Sequence, residues 1–251
     1  MIFCDAHIHI AQIPDWEPVA GSPVLTCAHS PAEYRATLAC AGRGPVFRSF
    51  GIHPQEDTHL PGVLAERAAF LENLLREGKL DAVGEAGFDL WPEYAGNIAR
   101  QEEAWHIQLD LAARYGKPLV VHCRKALHLI FRDAALLKRL PAAVFHSFPG
   151  SPEEARALLR RGVGAFFSLG KPLLNHQKRA ARSALDLPLA HLLAETDAPW
   201  QTLRGETITG PADIVRVYQG LAAIRGVPVQ GICAALEENF YALLGRKPGI
   251  L

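Results

Sequence analysis

Short apolar runs alternate with amphipathic helical stretches, and this constrains the chain more than any other feature. Runs that read as strands fall at 2–9, 24–28, 46–52, 80–84, 118–122, 142–146, 164–169 and 189–195. Helix-period stretches lie between most of them, at 32–41, 62–77, 98–115, 126–140, 152–161 and 173–184. Two more, at 211–225 and 229–244, close the chain. The first connection carries Pro14, Pro18, Gly21 and Pro23 and reads as a loop. Strands that alternate with helices form a parallel sheet with helices outside it. Eight units in 251 residues match an α/β fold of the closed (β/α)8 TIM-barrel type, one domain over residues 1–251. Gly78, Gly116 and Gly162 fall just past predicted helices, where a left-handed cap is wanted. Pro31, Pro152 and Pro211 fall at predicted helix starts, where a missing N–H costs nothing.

A chain of this size, 49% hydrophobic, builds a core without disulfides or a structural metal. A metal site would therefore serve chemistry. Lys plus Arg and Asp plus Glu both number 26, so no basic surplus announces nucleic acid. The cysteines at 4, 27, 40, 123 and 233 form no CxxC pair, which suits a reducing cytoplasm. No basic-then-apolar leader and no apolar run of roughly 18 residues is present, so a cytoplasmic protein without a membrane segment is expected.

In a parallel barrel, reactive residues gather at the C-terminal ends of the strands. The first run ends in Asp5-Ala6-His7-Ile8-His9, and alternation puts Asp5, His7 and His9 on one face. The third ends in His53, the fourth leads into Glu85 and Asp89, and the fifth ends in His122-Cys123-Arg124. The sixth ends in His146 and the eighth in Glu195-Thr196-Asp197. Charged groups are seldom buried without partners, and metal ions are such partners. Imidazoles mixed with carboxylates suit Zn²⁺ or Mn²⁺ better than the harder Ca²⁺ or Mg²⁺.

The stretches Asp5–His9, 51–54, 84–89, 101–111 leading into 122–124, 145–151 and 195–200, in this order, resemble the TatD-type metal-dependent hydrolases of the amidohydrolase-like superfamily. The resemblance runs from the first residues to about position 200. It implies that His7, His9 and Asp197 hold one metal, that His122 and His146 hold a second, and that Glu85 bridges them. It implies a phosphoesterase or deoxyribonuclease using hydroxide bridged by two divalent ions (Zn, Mn or Mg), with Asp197 also the general base. Nucleic-acid ends or a small phosphate ester would be the substrate, with no obligate protein partner. The fourth strand offers Glu85 and no lysine, unlike related barrels bridged by a carbamylated lysine.

Other residues keep two readings. His53 contacts the substrate or is a turn residue before Pro54. Arg124 reaches a phosphate oxygen or makes a salt bridge on the rim. Asp5 and Glu195 fix the tautomer of a ligand imidazole or make ordinary core hydrogen bonds. Lys171 and Arg204 read as solvated rim charges, Gln101 as a packing or capping residue, and Cys4 and Cys123 as small core residues. His29, His59, His106, His128, His176 and His191 read as surface or helix residues. Between Trp200 and Pro211 the chain lacks the Arg-Asn-x-Pro element common in the family. That departure leaves a second expectation, an ester, lactone or amide hydrolase on the same barrel with DNA not the substrate.

Overall fold

The computed structural model describes residues 1–56, 58, 60–175 and 177–248. Its eight strands are β1 (Asp5–Ile8), β2 (Val24–Ala28), β3 (Val46–Phe50), β4 (Ala82–Asp89), β5 (Leu119–Arg124), β6 (Ala143–Phe145), β7 (Ala165–Leu169) and β8 (Leu192–Ala194). They form one sheet in sequence order, and every pairing is parallel. The helices are α1 (Pro31–Leu38), α2 (Val63–Arg76), α3 (Ile98–Arg114), α4 (Leu127–Arg132), α5 (Ala134–Leu137), α6 (Pro152–Arg160), α7 (Lys178–Asp186), α8 (Asp213–Arg225) and α9 (Val229–Leu243).

The seam between the last and first strands is closed by hydrogen bonds that also place the site. Asp197 N–H donates to the His7 carbonyl and His9 N–H to the Ala198 carbonyl, both at 2.9 Å. Beneath them the buried Asp5 carboxylate accepts from Thr196 N–H at 3.0 Å and from its hydroxyl at 2.6 Å. Inside the barrel, Leu25, Cys27, Phe47, Val120, Val144 and Leu193 pack with Phe240 and Tyr241 of α9. Valines at 120 and 144 stand one pleat below His122 and His146, so an apolar floor supports a polar mouth.

Two glycines let backbone crowd around Glu85. A side chain at Gly51 would collide with the Glu85 carbonyl, and one at Gly87 with the His122 carbonyl. Two glutamines on one face of α3 clamp the neighbouring strand ends. Gln101 accepts from Asp89 N–H and donates to the Asp89 carbonyl, at 2.9 and 3.0 Å. Gln108 does the same to Ile52, at 2.8 and 3.1 Å. Seven residues is close to two helical turns, so one helix face serves both strand ends.

Several element boundaries differ from the sequence reading. The predicted helix 126–140 breaks at Asp133, whose carboxylate turns inward to accept the buried Trp105 indole N–H at 3.0 Å. The predicted helix 173–184 starts as a 3-10 turn, Lys171–Asn175, before α7. The predicted strand 189–195 begins as a 3-10 turn, and only Leu192–Ala194 is strand. Pro31 and Pro152 open their helices behind Ser30 and Ser151 caps, but Pro211 lies ahead of α8. No helix among the described residues is long and apolar enough to cross a membrane.

Candidate metal centre

Glu85, buried on β4, is the hub. Its two carboxylate oxygens divide the surrounding imidazoles. Oε1 faces His29 Nε2 at 2.9 Å, His7 Nε2 at 3.4 Å and His9 Nε2 at 3.6 Å. Oε2 faces His146 Nε2 at 2.8 Å, His122 Nδ1 at 3.4 Å and His53 Nε2 at 3.8 Å. Asp197 stands on the first side, its Oδ1 3.2 Å from His9 Nε2 and 3.4 Å from His7 Nε2. Its backbone lies in the left-handed region, at φ 55°, which Asp tolerates better than most residues. Three donor sets each lie within 4.8 Å: His7, His9 and Glu85; His53, Glu85 and His122; and His7, His146 and Asp197. The third set crosses the division made by Glu85, because the rings of His7 and His146 stack at 4.2 Å.

Outer partners decide which ring nitrogen faces the centre. His122 Nε2 lies 3.3 Å from Asp89 Oδ2, so it carries the proton and Nδ1 turns its lone pair inward. His7 Nδ1 lies 3.3 Å from Cys27 Sγ, which leaves Nε2 facing the carboxylates. His53 is the opposite case. Its Nδ1 accepts the Gln55 backbone N–H at 3.2 Å, so in the neutral ring the proton sits on Nε2. His53 therefore presents a donor to the centre rather than a lone pair.

The electrostatics show what the centre demands. Burial opposes ionisation of Glu85, yet the charges of His7, His146 and His53 and the His122 contact hold its carboxyl well below the usual range. Burial likewise opposes Asp197, but contacts from His7 and His9 drive its carboxyl far down. Burial would lower His122; hydrogen bonds to Asp89 and Glu85 instead raise it to about 9. His7 is also pushed up, against burial, by Cys27, Glu85 and Asp197. His146, buried and beside His7, falls to about 4. The two buried carboxylates thus draw positive charge toward the centre, the role a divalent cation fills. The ring nitrogens His9 Nδ1 and His146 Nδ1 are buried without hydrogen-bond partners. Convergent imidazole and carboxylate donors of this kind fit a transition-metal or zinc site.

The fold brings His7, His9, His53, Glu85, His122, His146 and Asp197 together. Two expected supports act otherwise. Asp5 serves backbone N–H groups of His7 (3.2 Å) and Thr196, not an imidazole. Glu195 accepts Ser147 N–H at 2.6 Å, while its nearest approach to His146 Nδ1 is 3.9 Å. The carboxylate that orients a ring is Asp89, on the same face of β4 as Glu85 and four residues on.

His29 is a correction: it sits at the end of β2 and joins the centre. Its place directly after the run 24–28 is the signal in the sequence that marks it as a strand-end residue. Cys27 and Gln201 were also missed. Gln201 Nε2 donates to Asp197 Oδ2 and to Ser147 Oγ, both at 2.8 Å.

Lys171 is the other correction. It is fully buried, held by Glu206, by Thr209 Oγ1 at 3.0 Å and by Asp213 Oδ2 at 3.0 Å. That grip fixes the atypical segment after Trp200 against the barrel. Arg204 is exposed, and Arg124 approaches Asp89 only to 3.9 Å. Cys4 and Cys123 are buried among apolar side chains. His106 and His128 lie on α3 and α4, and His191 in a 3-10 turn. His59 and His176 lie outside the described residues. The centre opens into a cavity of about 1020 Å³, at the upper end of the usual size for ligand sites.

The family profile of TatD related DNases matches residues 4–245. The chain belongs to that family. A metal-dependent hydrolase of Escherichia coli K12, YjjV, is 30% identical, over 96% of this chain and 97% of that protein. Its crystal structure, that of a TatD homolog, superposes with a TM-score of 0.81 at 27% identity, covering 96% of this chain and 97% of that one. The 3'-5' ssDNA/RNA exonuclease TatD of Edwardsiella piscicida is 39% identical over 153 residues, 60% of this chain and 56% of that protein. The enzyme of the same name from Klebsiella pneumoniae is 28% identical over 88% of this chain and 86% of that protein. As a TatD-family member with this donor cluster, the chain is a metal-dependent hydrolase.

Proposed function

We propose that this hydrolase cleaves phosphodiester bonds at nucleic-acid ends, using two divalent ions. The observation that carries the proposal is the division of the imidazoles by the two oxygens of Glu85. It supports one ion held by His7, His9 and Asp197, a second held by His122 and His146, and Glu85 shared between them. His29 stands beside the first set. The donor set favours Zn²⁺ or Mn²⁺ over Mg²⁺. When bound, such ions would lower the pKa of a shared water and offset charge building on the phosphate.

The chain's own groups do the rest. Asp197, ionised and steadied by Gln201 at 2.8 Å, accepts a proton from the attacking water. His53, with its proton on Nε2, donates to a phosphate oxygen or the departing oxygen. The apolar floor beneath the centre keeps bulk water from its lower side, which strengthens each electrostatic contact. The relatives named as ssDNA/RNA exonucleases favour nucleic acid over the ester, lactone or amide alternative. Free thiols at all five cysteines suit a cytoplasmic setting.

The test is release of nucleotides from single-stranded DNA and RNA by protein loaded with Zn²⁺, Mn²⁺ or Mg²⁺, with metal counted by elemental analysis. Two ions per chain and terminal release are expected. Hydrolysis no greater than that of a His122→Ala control would overturn the nuclease reading.

A further inference from the structure

Beside the mouth, two cations rest on one indole. Trp91 follows β4 by two residues and is partly exposed, at 39%. Its backbone N–H donates to Asp89 Oδ1 at 2.8 Å, which fixes where the ring stands. The Arg124 guanidinium carbon lies 4.1 Å from the ring centre and Lys125 Nζ lies 4.0 Å from it. Both basic side chains are exposed. Lys125 takes φ 57°, a left-handed conformation that turns the chain just beyond β5. Like charges this close repel, and the π face of one indole offsets the repulsion by attracting both.

Among the described residues, neither cation has a carboxylate to itself. The nearest to Arg124 is Asp89 Oδ2 at 3.9 Å, and that oxygen already receives Gln55 Nε2 at 2.7 Å and faces His122 Nε2. Lys125 has no carboxylate within 4.0 Å among the described residues. Arg124 lines the same cavity as Glu85 and His122. It stands two residues beyond His122 on β5, a displacement of about 6.6 Å at the usual strand rise. By strand alternation its side chain leaves the same face of β5 as that of His122.

We propose that Arg124 and Lys125, held together on Trp91, form a subsite for the internucleotide phosphate next to the scissile one. The inference rests on the nucleic-acid reading above and adds a place for the strand that remains after the terminal nucleotide leaves. Both cations lie within about 4 Å of one ring centre, close enough together for a single phosphate to reach both and offset their mutual repulsion. The contact reads charge, not bases, so it serves DNA and RNA alike.

Three substrates test it: a dinucleotide with one phosphodiester, a trinucleotide with two, and a trinucleotide whose inner phosphate is a neutral methylphosphonate. For the metal-loaded wild type, kcat/KM should be about tenfold higher on the charged trinucleotide than on the other two, the scale of one charge-assisted contact. In an Arg124→Gln/Lys125→Gln double variant the three values should agree within about twofold. Trp91→Leu, which keeps both charges but frees them, should leave a preference between these limits. Binding of single-stranded DNA in the presence of chelator gives a readout independent of the chemistry. There the double variant should lower the slope of log Kd against log salt by about 0.7, one phosphate's worth. Equal wild-type values on all three substrates overturn the subsite while leaving the nuclease reading intact. A preference that survives in the double variant overturns it too. Failure to cleave any of the three overturns the nuclease reading, and the subsite with it.

Discussion

Two clusters of charge, each gathered around a buried residue, lie at the same end of the barrel, and they are built differently. Around Lys171, two cations meet two carboxylates: Lys171 and Arg216 contact Glu206 and Asp213, with Thr209 filling the remaining position. Every charge there has a partner within the chain. Around Glu85, imidazole nitrogens point at one another, as at His122 Nδ1 and His146 Nε2, 3.0 Å apart, and at His7 and His9 Nε2, 3.2 Å apart. Lone pairs converge there without enough protons or cations to satisfy them. Burial alone therefore does not mark a functional site. A cluster that closes its own charge balance holds structure, and one that leaves the balance open is arranged for something that binds.

Removing the shared group from the open cluster should have the largest effect. Glu85→Gln is expected to reduce hydrolysis by more than about a hundredfold, beyond the range seen for outer partners, and to lower the bound-metal count. Full metal content with full activity would refute the central role of Glu85. Next comes Asp89→Asn, which weakens the contact that turns His122 Nδ1 inward. Metal affinity at the second site should fall about 10–100-fold, with activity restored by excess metal. Titration with a competing chelator reads this directly.

The closed cluster should respond in stability instead. Lys171→Met removes the buried one of the two cations that Glu206 and Asp213 share and leaves them to Arg216. A fully buried pair would cost 3–5 kcal/mol, but both carboxylates are partly exposed. A loss of about 2 kcal/mol is expected, or a drop of about 4–8 °C in Tm for a domain of this size. Calorimetry with metal content measured in parallel checks it. Loss of metal without loss of stability would erase the distinction between the clusters.

The smallest effect is a difference in pH dependence. Hydrogen bonds from Lys171 and Arg216 hold Glu206 down at about 2. A carboxyl depressed in the fold stabilises it fully above its unfolded value, about 4.3. That contribution fades as pH falls toward 2, because the unfolded chain takes up the proton first. The Tm gap between wild type and Glu206→Gln should thus stay constant from pH 7 to about 5 and shrink below about 4. The open cluster should release metal earlier in the same titration, because its imidazoles bind only when neutral. A Tm gap that closes in step with metal release would mean the two clusters are coupled.

The alternation of apolar runs and amphipathic stretches was enough to read the barrel, because period-two and period-3.6 patterns record burial directly. The principal donors at strand ends were legible for the same reason: strand parity fixes which side chains share a face. His29 escaped because a strand-end histidine outside a recognised motif looks like any loop residue. Asp89 had the right parity, yet parity could not show that its carboxylate, rather than that of Asp5, would meet a ring. Lys171 is the plainest limit. A lysine in a polar stretch reads as solvated, and nothing local reveals that Glu206, Thr209 and Asp213, some 35–42 residues later, surround it.

By itself the sequence determined the fold class and the face on which its main donors lie, since both follow from local periodicity. Only the tertiary structure decided which nitrogen of each ring faces Glu85, which carboxylates orient rings and which serve backbone, and which charges are already paired. Those are properties of contacts between strands and loops far apart in the chain, and periodicity carries no record of them.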